Sequence, residues 1–451
     1  MSAPRSLPAH FQLGTATSSW QIEGDSHGRG RSMWDDFAAV PGRIKDGTTA
    51  DPACDHVHRL DADLDLLSWL GVDAYRFSIS WPRVQPGGSG PLSSTGMDFY
   101  SRLIDGLLAR GIHPVATLYH WDLPSELNDA GGWLTRDTAD RFGDYAGFMA
   151  QAFGDRVQRW ATLNEPWVSA YLGYAAGIHA PGVTDPASSV AAAYYLMLGH
   201  GRALAQLRSH TADNCGIVLN LIPAIAQDTR ASTMAATEHI DSLHNRFFLD
   251  LLAGRGVSHQ LRSACASFTD FAFLRDEDLT AISAPIDWIG ENYYTITRVS
   301  GVDSDVDLDA HDRAALAAYP ATPAARMVPH EPITDMGWEI YPQGLTDVLH
   351  LIDQSLPGIP IWVTENGAAA PDPQRLAYLR DHLHAVLNAH DEGVDVRGYF
   401  AWSLLDNIEW AEGMTKQFGI VAVDPQTQQR SPKASAHWYR KVIADRSLIN
   451  P

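Results

Sequence analysis

The segment Val157-Gln158-Arg159-Trp160-Ala161-Thr162-Leu163-Asn164-Glu165-Pro166 contains the unit from which the rest of the chain is built. Its apolar and β-branched residues predict a strand over 157–163, and the run stops at Asn164-Glu165-Pro166. Just upstream, 138–153 places apolar residues at helical spacing, with Gly154 as the expected residue after the helix end. A helix, a short turn and a strand ending in polar side chains make up one step of a β/α repeat.

The same rhythm recurs in both directions. Strands are predicted at 11–14, 74–79, 113–118, 157–163, 216–221, 288–292, 361–364 and 397–402, which makes eight. Helices are predicted at 60–70 and 98–110, closed by Gly71 and Gly111, and a later one is closed by Gly393. No Ser/Gly-rich linker interrupts the alternation. The expectation is a single α/β domain over 1–451, a (β/α)8 TIM barrel with long loops at its C-terminal face. Two segments depart from the rhythm: 231–254 reads as an extra helix, and 300–335 as a long, acidic, proline-rich loop. Following the sixth strand, that loop is expected to help wall a site on the C-terminal face.

With 45% hydrophobic and 19% charged residues, the chain can bury a large core. A formal charge of −21 disfavours nucleic-acid and anionic-membrane partners. Cys54, Cys215 and Cys265 are too few and too widely spaced for a disulfide framework, and fit reduced thiols in a cytoplasmic protein. No signal-peptide core, membrane-length apolar run or Asn-x-Ser/Thr sequon occurs.

Two motifs carry the chemistry. Thr162-Leu163-Asn164-Glu165-Pro166 ends the fourth predicted strand, and Val363-Thr364-Glu365-Asn366-Gly367 ends the seventh. A lone glutamate at a strand end commonly just caps the following helix. Two in matched settings on the catalytic face of a barrel can instead converge across its mouth. Facing carboxylates suit glycosidic cleavage, one protonated to release the leaving group and one ionised to meet the anomeric carbon. Glu165 is expected as the acid, and Glu365 as the nucleophile. Arg76, which alternation can point inward from the second strand, is expected to keep Glu365 charged.

A pyranose has an apolar face and a rim of hydroxyls, so its site pairs aromatic platforms with polar side chains. Trp20, Trp81, Trp121, Trp167, Trp402 and Trp410 follow predicted strands. So do Gln21 and Glu23, His120, Asn292 with Tyr294, and Glu409. Any single tryptophan is more often core, so only the constellation argues for a sugar site.

On these residues the chain resembles glycoside hydrolase family 1, the β-glucosidase family, over essentially its whole length. The resemblance is carried by Phe11–Gly24, Thr162–Pro166, Asn292-Tyr293-Tyr294-Thr295, Gly337–Pro342, Thr364–Gly367 and Trp402–Trp410. It implies Glu165 as acid/base and Glu365 as nucleophile, with Arg76 and Tyr294 touching the nucleophile and Asn164 reaching the sugar 2-hydroxyl. It further implies that Gln21, His120, Glu409 and Trp410 bind the 3-, 4- and 6-hydroxyls and that Trp402 stacks under the sugar. Trp121, Asn292 and Phe418 join that wall, and Trp338 and Trp167 flank the aglycone. Trp20 stands where tyrosine, phenylalanine or asparagine is usual, and Gln417 where arginine is frequent.

The activity so implied is retaining hydrolysis of terminal β-D-glucosyl residues, with β-fucosides and β-galactosides as further substrates. Small β-glucosides or cello-oligosaccharides are the expected ligands. A 6-phospho-β-glucosidase is disfavoured because Glu409 would repel a phosphate and Phe418 lacks a hydroxyl, although Lys416 is near in sequence. An inactive sugar-binding barrel is disfavoured because both carboxylates, Arg76 and Tyr294 are present. Neither metal nor cofactor is expected. Asp61, Asp63 and Asp65 lack the glycine and the terminal glutamate of a calcium loop and read as the solvated first turn of a helix. Asp303, Asp305, Asp307 and Asp309 read as a charged surface loop, and Cys54, His56 and His58 as a structural or surface patch.

Overall fold

Eight parallel strands close on themselves: β1 (Gln12–Ala16), β2 (Ala74–Ser78), β3 (His113–Tyr119), β4 (Arg159–Asn164), β5 (Cys215–Leu219), β6 (Trp288–Asn292), β7 (Ile361–Asn366) and β8 (Val396–Trp402), with β8 pairing back to β1. The computed structural model describes residues 5–210, 214–302 and 308–448. Every predicted strand is present, with ends displaced by a few residues. Helices such as Leu60–Leu70, Ser94–Ala109 and Arg136–Phe153 pack outside the barrel. Gly71 and Gly111 take the expected left-handed conformation, φ 75° and 70°. Gly154 does not: at φ −63° it remains helical, and the turn closes later, where the Arg156 and Val157 amides reach back to the Phe153 carbonyl.

The barrel interior is filled at its base and open at its top. Trp288, Trp362 and Phe400 pack among Ala74, Val115, Ala161 and Val218, and the Arg159 guanidinium lies 3.8 Å from the Trp362 ring centroid. Gly398 makes room for this plug, since a Cβ there would meet Trp362 at 2.6 Å. Other apolar side chains, including Leu64, Tyr145 and Leu383, fill the layer between strands and helices. No helix among the described residues is long and apolar enough to cross a membrane.

The predicted extra helix at 231–254 is two helices, Ala231–Asp241 and Phe247–Leu252, joined by the π-helical turn Ser242–Arg246. The predicted long loop at 300–335 holds more regular structure than expected. Thr297–Gly301 and Ala325–Met327 pair as strands, and Asp309 caps the helix Ala310–Leu316 by accepting from the Asp312 amide. Asp303, Asp305 and Asp307 lie outside the described residues.

Asp63 corrects the expectation of a solvated helical turn. It is fully buried, accepting from His56 at 2.8 Å and from Arg430 at 2.8 and 2.9 Å. Burial opposes its ionisation, but the bonds from His56 and Arg430 outweigh it and hold the carboxyl below its usual range. Cys54 is also buried, its thiol against the Asp406 carbonyl, whereas His58 is exposed beside Asp55. These side chains tie the start of the first long helix to the C-terminal segment.

Candidate active site

Both strands that carry the candidate carboxylates lose regular register beside them. β4 shifts against β5 between Ala161 and Asn164, and β7 shifts against β6 between Val363 and Glu365. Such irregularities re-aim side chains at barrel rims. Glu165 adopts φ +47°, and Trp121 and Trp410 adopt +81° and +47°. A left-handed backbone is costly for residues bearing a Cβ, and three of them meet around one cavity, the kind of clustering found at functional sites.

Arg76 is the hub beneath the pair. Its guanidinium donates to Glu365 through Nη1, to Asn164 Oδ1 at 2.5 Å through Nη2, and to Thr117 at 3.1 Å through Nε. The Tyr294 hydroxyl donates to the other Glu365 oxygen at 2.6 Å. Asn292 donates to Glu165 at 2.5 Å and to Asn164 Oδ1 at 3.0 Å, while Thr364 donates to its carbonyl at 2.7 Å. Gly290 permits that last contact, because a Cβ there would meet Thr364 Oγ1 at 2.7 Å.

The two carboxylates therefore have unequal surroundings. Burial, then the nearby Glu365 charge, push Glu165 well above the usual carboxylate range. Burial pushes Glu365 up as well, but the Arg76 charge and the Tyr294 hydroxyl draw it back, so of the two Glu365 loses its proton first. Glu409, beside them, is pushed up to about 8 by burial and by Glu365. Burial and Arg76 hold His120 well below the histidine range, so its ring is neutral. The ring nitrogen Nε2 accepts from Asn164 at 3.1 Å, leaving an Nδ1–H with no protein partner among the described residues.

A cavity of about 690 Å³ opens over this network. Glu165, Glu365, Tyr294, His120, Trp121, Asn292, Trp402, Glu409, Trp410, Phe418, Trp338 and Trp167 line it. Arg76 and Asn164 lie directly behind that lining and reach it through their hydrogen bonds. Segment 300–335 contributes Tyr319 and Met327 to the outer wall.

The sequence profile of Glycosyl hydrolase family 1 matches residues 3–448. Beta-glucosidase A of Acetivibrio thermocellus is 41% identical over 97% of this chain and 98% of that protein. The bifunctional beta-D-glucosidase/beta-D-fucosidase of Bifidobacterium breve is 43% identical over 98% and 99%. This chain belongs to glycosyl hydrolase family 1. The family 1 β-glucosidase from Thermotoga maritima superposes with a TM-score of 0.92 at 38% identity, covering 100% of both chains. A second structure of that enzyme holds isofagomine lactam.

Within this family 1 barrel, four predicted positions besides Arg76 and Asn164 lie away from the cavity wall: Trp20, Gln21, Glu23 and Trp81. Gln21 is buried, donating to the Ile408 carbonyl at 2.6 Å and to Asn407 at 3.0 Å while accepting from Ser18 at 2.5 Å. Glu23 pairs with Arg83 at 2.7 Å and accepts from Tyr100 at 2.5 Å, fixing the loop after β1. Trp81 packs on Tyr145 in the outer layer. Lys416 is half-buried and donates to the Asp335 carbonyl.

Two other cavity residues, His244 and His179, had no signal in the sequence. His244 stacks on Trp167 at 3.9 Å and is held by Tyr319 at 2.9 Å and the Asn220 carbonyl at 2.8 Å. It comes from a π-helical turn, which the regular helical pattern of 231–254 conceals. His179 packs against Trp34 and Trp121 from a loop without any periodic pattern. Asn220 was within reach of the strand-end rule, since it follows β5 directly.

Proposed function

We propose that this chain, as one catalytic domain over 1–451, is a retaining β-glucosidase that removes terminal non-reducing β-D-glucosyl residues from small β-glucosides or cello-oligosaccharides. The observation that carries this is the asymmetric pair: Glu165 buried and proton-holding, Glu365 held by Arg76 and Tyr294.

In the first step the Glu165 carboxyl gives its proton to the glycosidic oxygen. The Glu365 carboxylate forms a bond to the anomeric carbon as the carbon–oxygen bond to the aglycone breaks. Proton transfer and bond cleavage together leave an alcohol and a glycosyl ester on Glu365. Having given up its proton, Glu165 is now a carboxylate, and with Glu365 neutralised by that bond its pKa falls, so it stays ionised and serves as the base of the next step. It takes a proton from water, whose oxygen attacks the anomeric carbon and releases Glu365 as carboxylate. Two inversions give net retention.

Asn164 Oδ1 is engaged by Arg76 and Asn292, so its amide N–H is the end that reaches the 2-hydroxyl. His120 Nδ1–H and Glu409 take the remaining hydroxyls, Trp402 and Trp410 supply the apolar platforms, and Trp167 and Trp338 border the aglycone. Gln21 supports this wall from behind through Asn407 and the Ile408 carbonyl. The Bifidobacterium relative's second activity supports β-fucosides as further substrates, and β-galactosides follow on the same tolerance. The three unpaired, buried cysteines support a cytoplasmic location.

The test is hydrolysis of 4-nitrophenyl β-D-glucoside by the wild type and by Glu365→Ala. Turnover in the wild type that is lost in the variant supports the assignment. Binding without turnover in the wild type overturns it.

A further inference from the structure

Glu409 opens into the cavity, yet no protein group among the described residues donates to its carboxylate. Its side chain is therefore placed by its backbone, and that backbone is gripped on both sides by two consecutive residues of the short helix Ser19–Ile22. Gln21 holds the preceding stretch through Asn407 and the Ile408 carbonyl, at 3.0 and 2.6 Å. Trp20 holds the following residue: its ring stacks on Trp410 with centroids 5.6 Å apart and planes 9° from parallel.

Trp20 is itself anchored. Its indole N–H donates to Asp35 at 3.0 Å. Arg29 donates to both oxygens of the same carboxylate, at 2.6 and 2.9 Å, and the Ser32 amide donates at 2.7 Å in a capping box that starts the helix Met33–Ala38. That helix carries Trp34, whose ring lies 5.4 Å from Trp20 and 4.6 Å from Trp410. On its other side Trp410 meets Trp121 at 4.3 Å. Trp410 is thus packed between fixed rings while its backbone holds a left-handed φ of +47°. Such a conformation persists only where the surroundings over-determine it.

We propose that Trp20 is a positioning residue which, by stacking on Trp410, fixes Glu409 in the geometry that recognises the sugar 6-hydroxyl. This rests on Glu409 being the carboxylate that faces that hydroxyl. A smaller ring at position 20 removes the anchor to Asp35 and part of the stacking surface. Trp410 can then relax its φ, and Glu409 moves with it. The loss should fall on substrates that use the 6-hydroxyl and spare those without it.

The experiment compares 4-nitrophenyl β-D-glucoside with its 6-deoxy analogue in the wild type, Trp20→Ala and Trp20→Phe, with kcat, KM and Tm measured for each. The two substrates share a leaving group, so their ratio of kcat/KM isolates the 6-hydroxyl. The expected result is a ratio that falls by roughly three- to tenfold in the variants, the worth of about one hydrogen bond. If Trp20→Ala does not fold, Trp20→Phe, which keeps an aromatic ring in place, decides. A folded variant with equal losses on both substrates and an unchanged ratio, whatever its Tm, overturns the proposal. A wild type that hydrolyses neither substrate overturns the glucosidase assignment, and this inference with it.

Discussion

Asn292 donates to Glu165 at 2.5 Å, and its own carbonyl is pinned by Thr364, the residue before Glu365, at 2.7 Å. The amide orientation is thereby fixed, and the strand bearing the nucleophile sets the hydrogen bond made to the acid/base.

Removing the Glu165 carboxyl should separate the two chemical steps. In Glu165→Ala, a glucoside with a poor alkoxide leaving group should lose about 10²- to 10⁴-fold in kcat/KM. A dinitrophenyl glucoside, which needs no protonation, should lose far less. Its slow second step should be accelerated by azide, with β-glucosyl azide as product. Equal losses on both substrates with no azide product would count against Glu165.

The raised affinity of Glu165 for its proton depends partly on the charge of Glu365. Removing that charge in Glu365→Gln favours ionisation of Glu165, so its pKa should fall. A ¹³C NMR titration of labelled glutamate carboxyls reads the shift, and an unchanged value would contradict the coupling. In the wild type, the rate should decline on the alkaline side as Glu165 loses the proton it must donate.

Glu409 makes an opposite prediction for stability. Its folded pKa, about 8, lies above the ordinary carboxylate value, so the folded protein holds this proton more tightly than the unfolded chain. The resulting stability is present below the unfolded pKa and is lost as pH rises toward 8. Glu409→Gln should therefore raise Tm at pH 7 by on the order of 2 °C, with the difference vanishing near pH 4, while impairing glucoside hydrolysis. An unchanged or lower Tm at pH 7 would show that the Glu409 carboxylate is not destabilising in the folded protein.

The barrel was legible because each strand is short, apolar and followed by polar residues, a pattern that local chemistry writes into the chain. Glu165, Glu365 and Arg76 were legible for the same reason, as inward or rim positions on strands of known direction. Gln21 and Glu23 share a strand end with the site but turn into the protein, because Asn407, Ile408, Arg83 and Tyr100 offer them partners there. His244 and Tyr319 reach the cavity from excursions whose paths are set by tertiary packing. Asp63 appeared solvated because its partner Arg430 lies 367 residues away in the chain.

The most direct test of the central claim is the configuration of the first product. When ¹H NMR follows hydrolysis of a β-glucoside from its earliest time points, the β-anomer of glucose should appear first and the α-anomer only as mutarotation proceeds. Initial release of the α-anomer would mean that water attacks directly, and Glu365 could not then be the nucleophile of a double displacement.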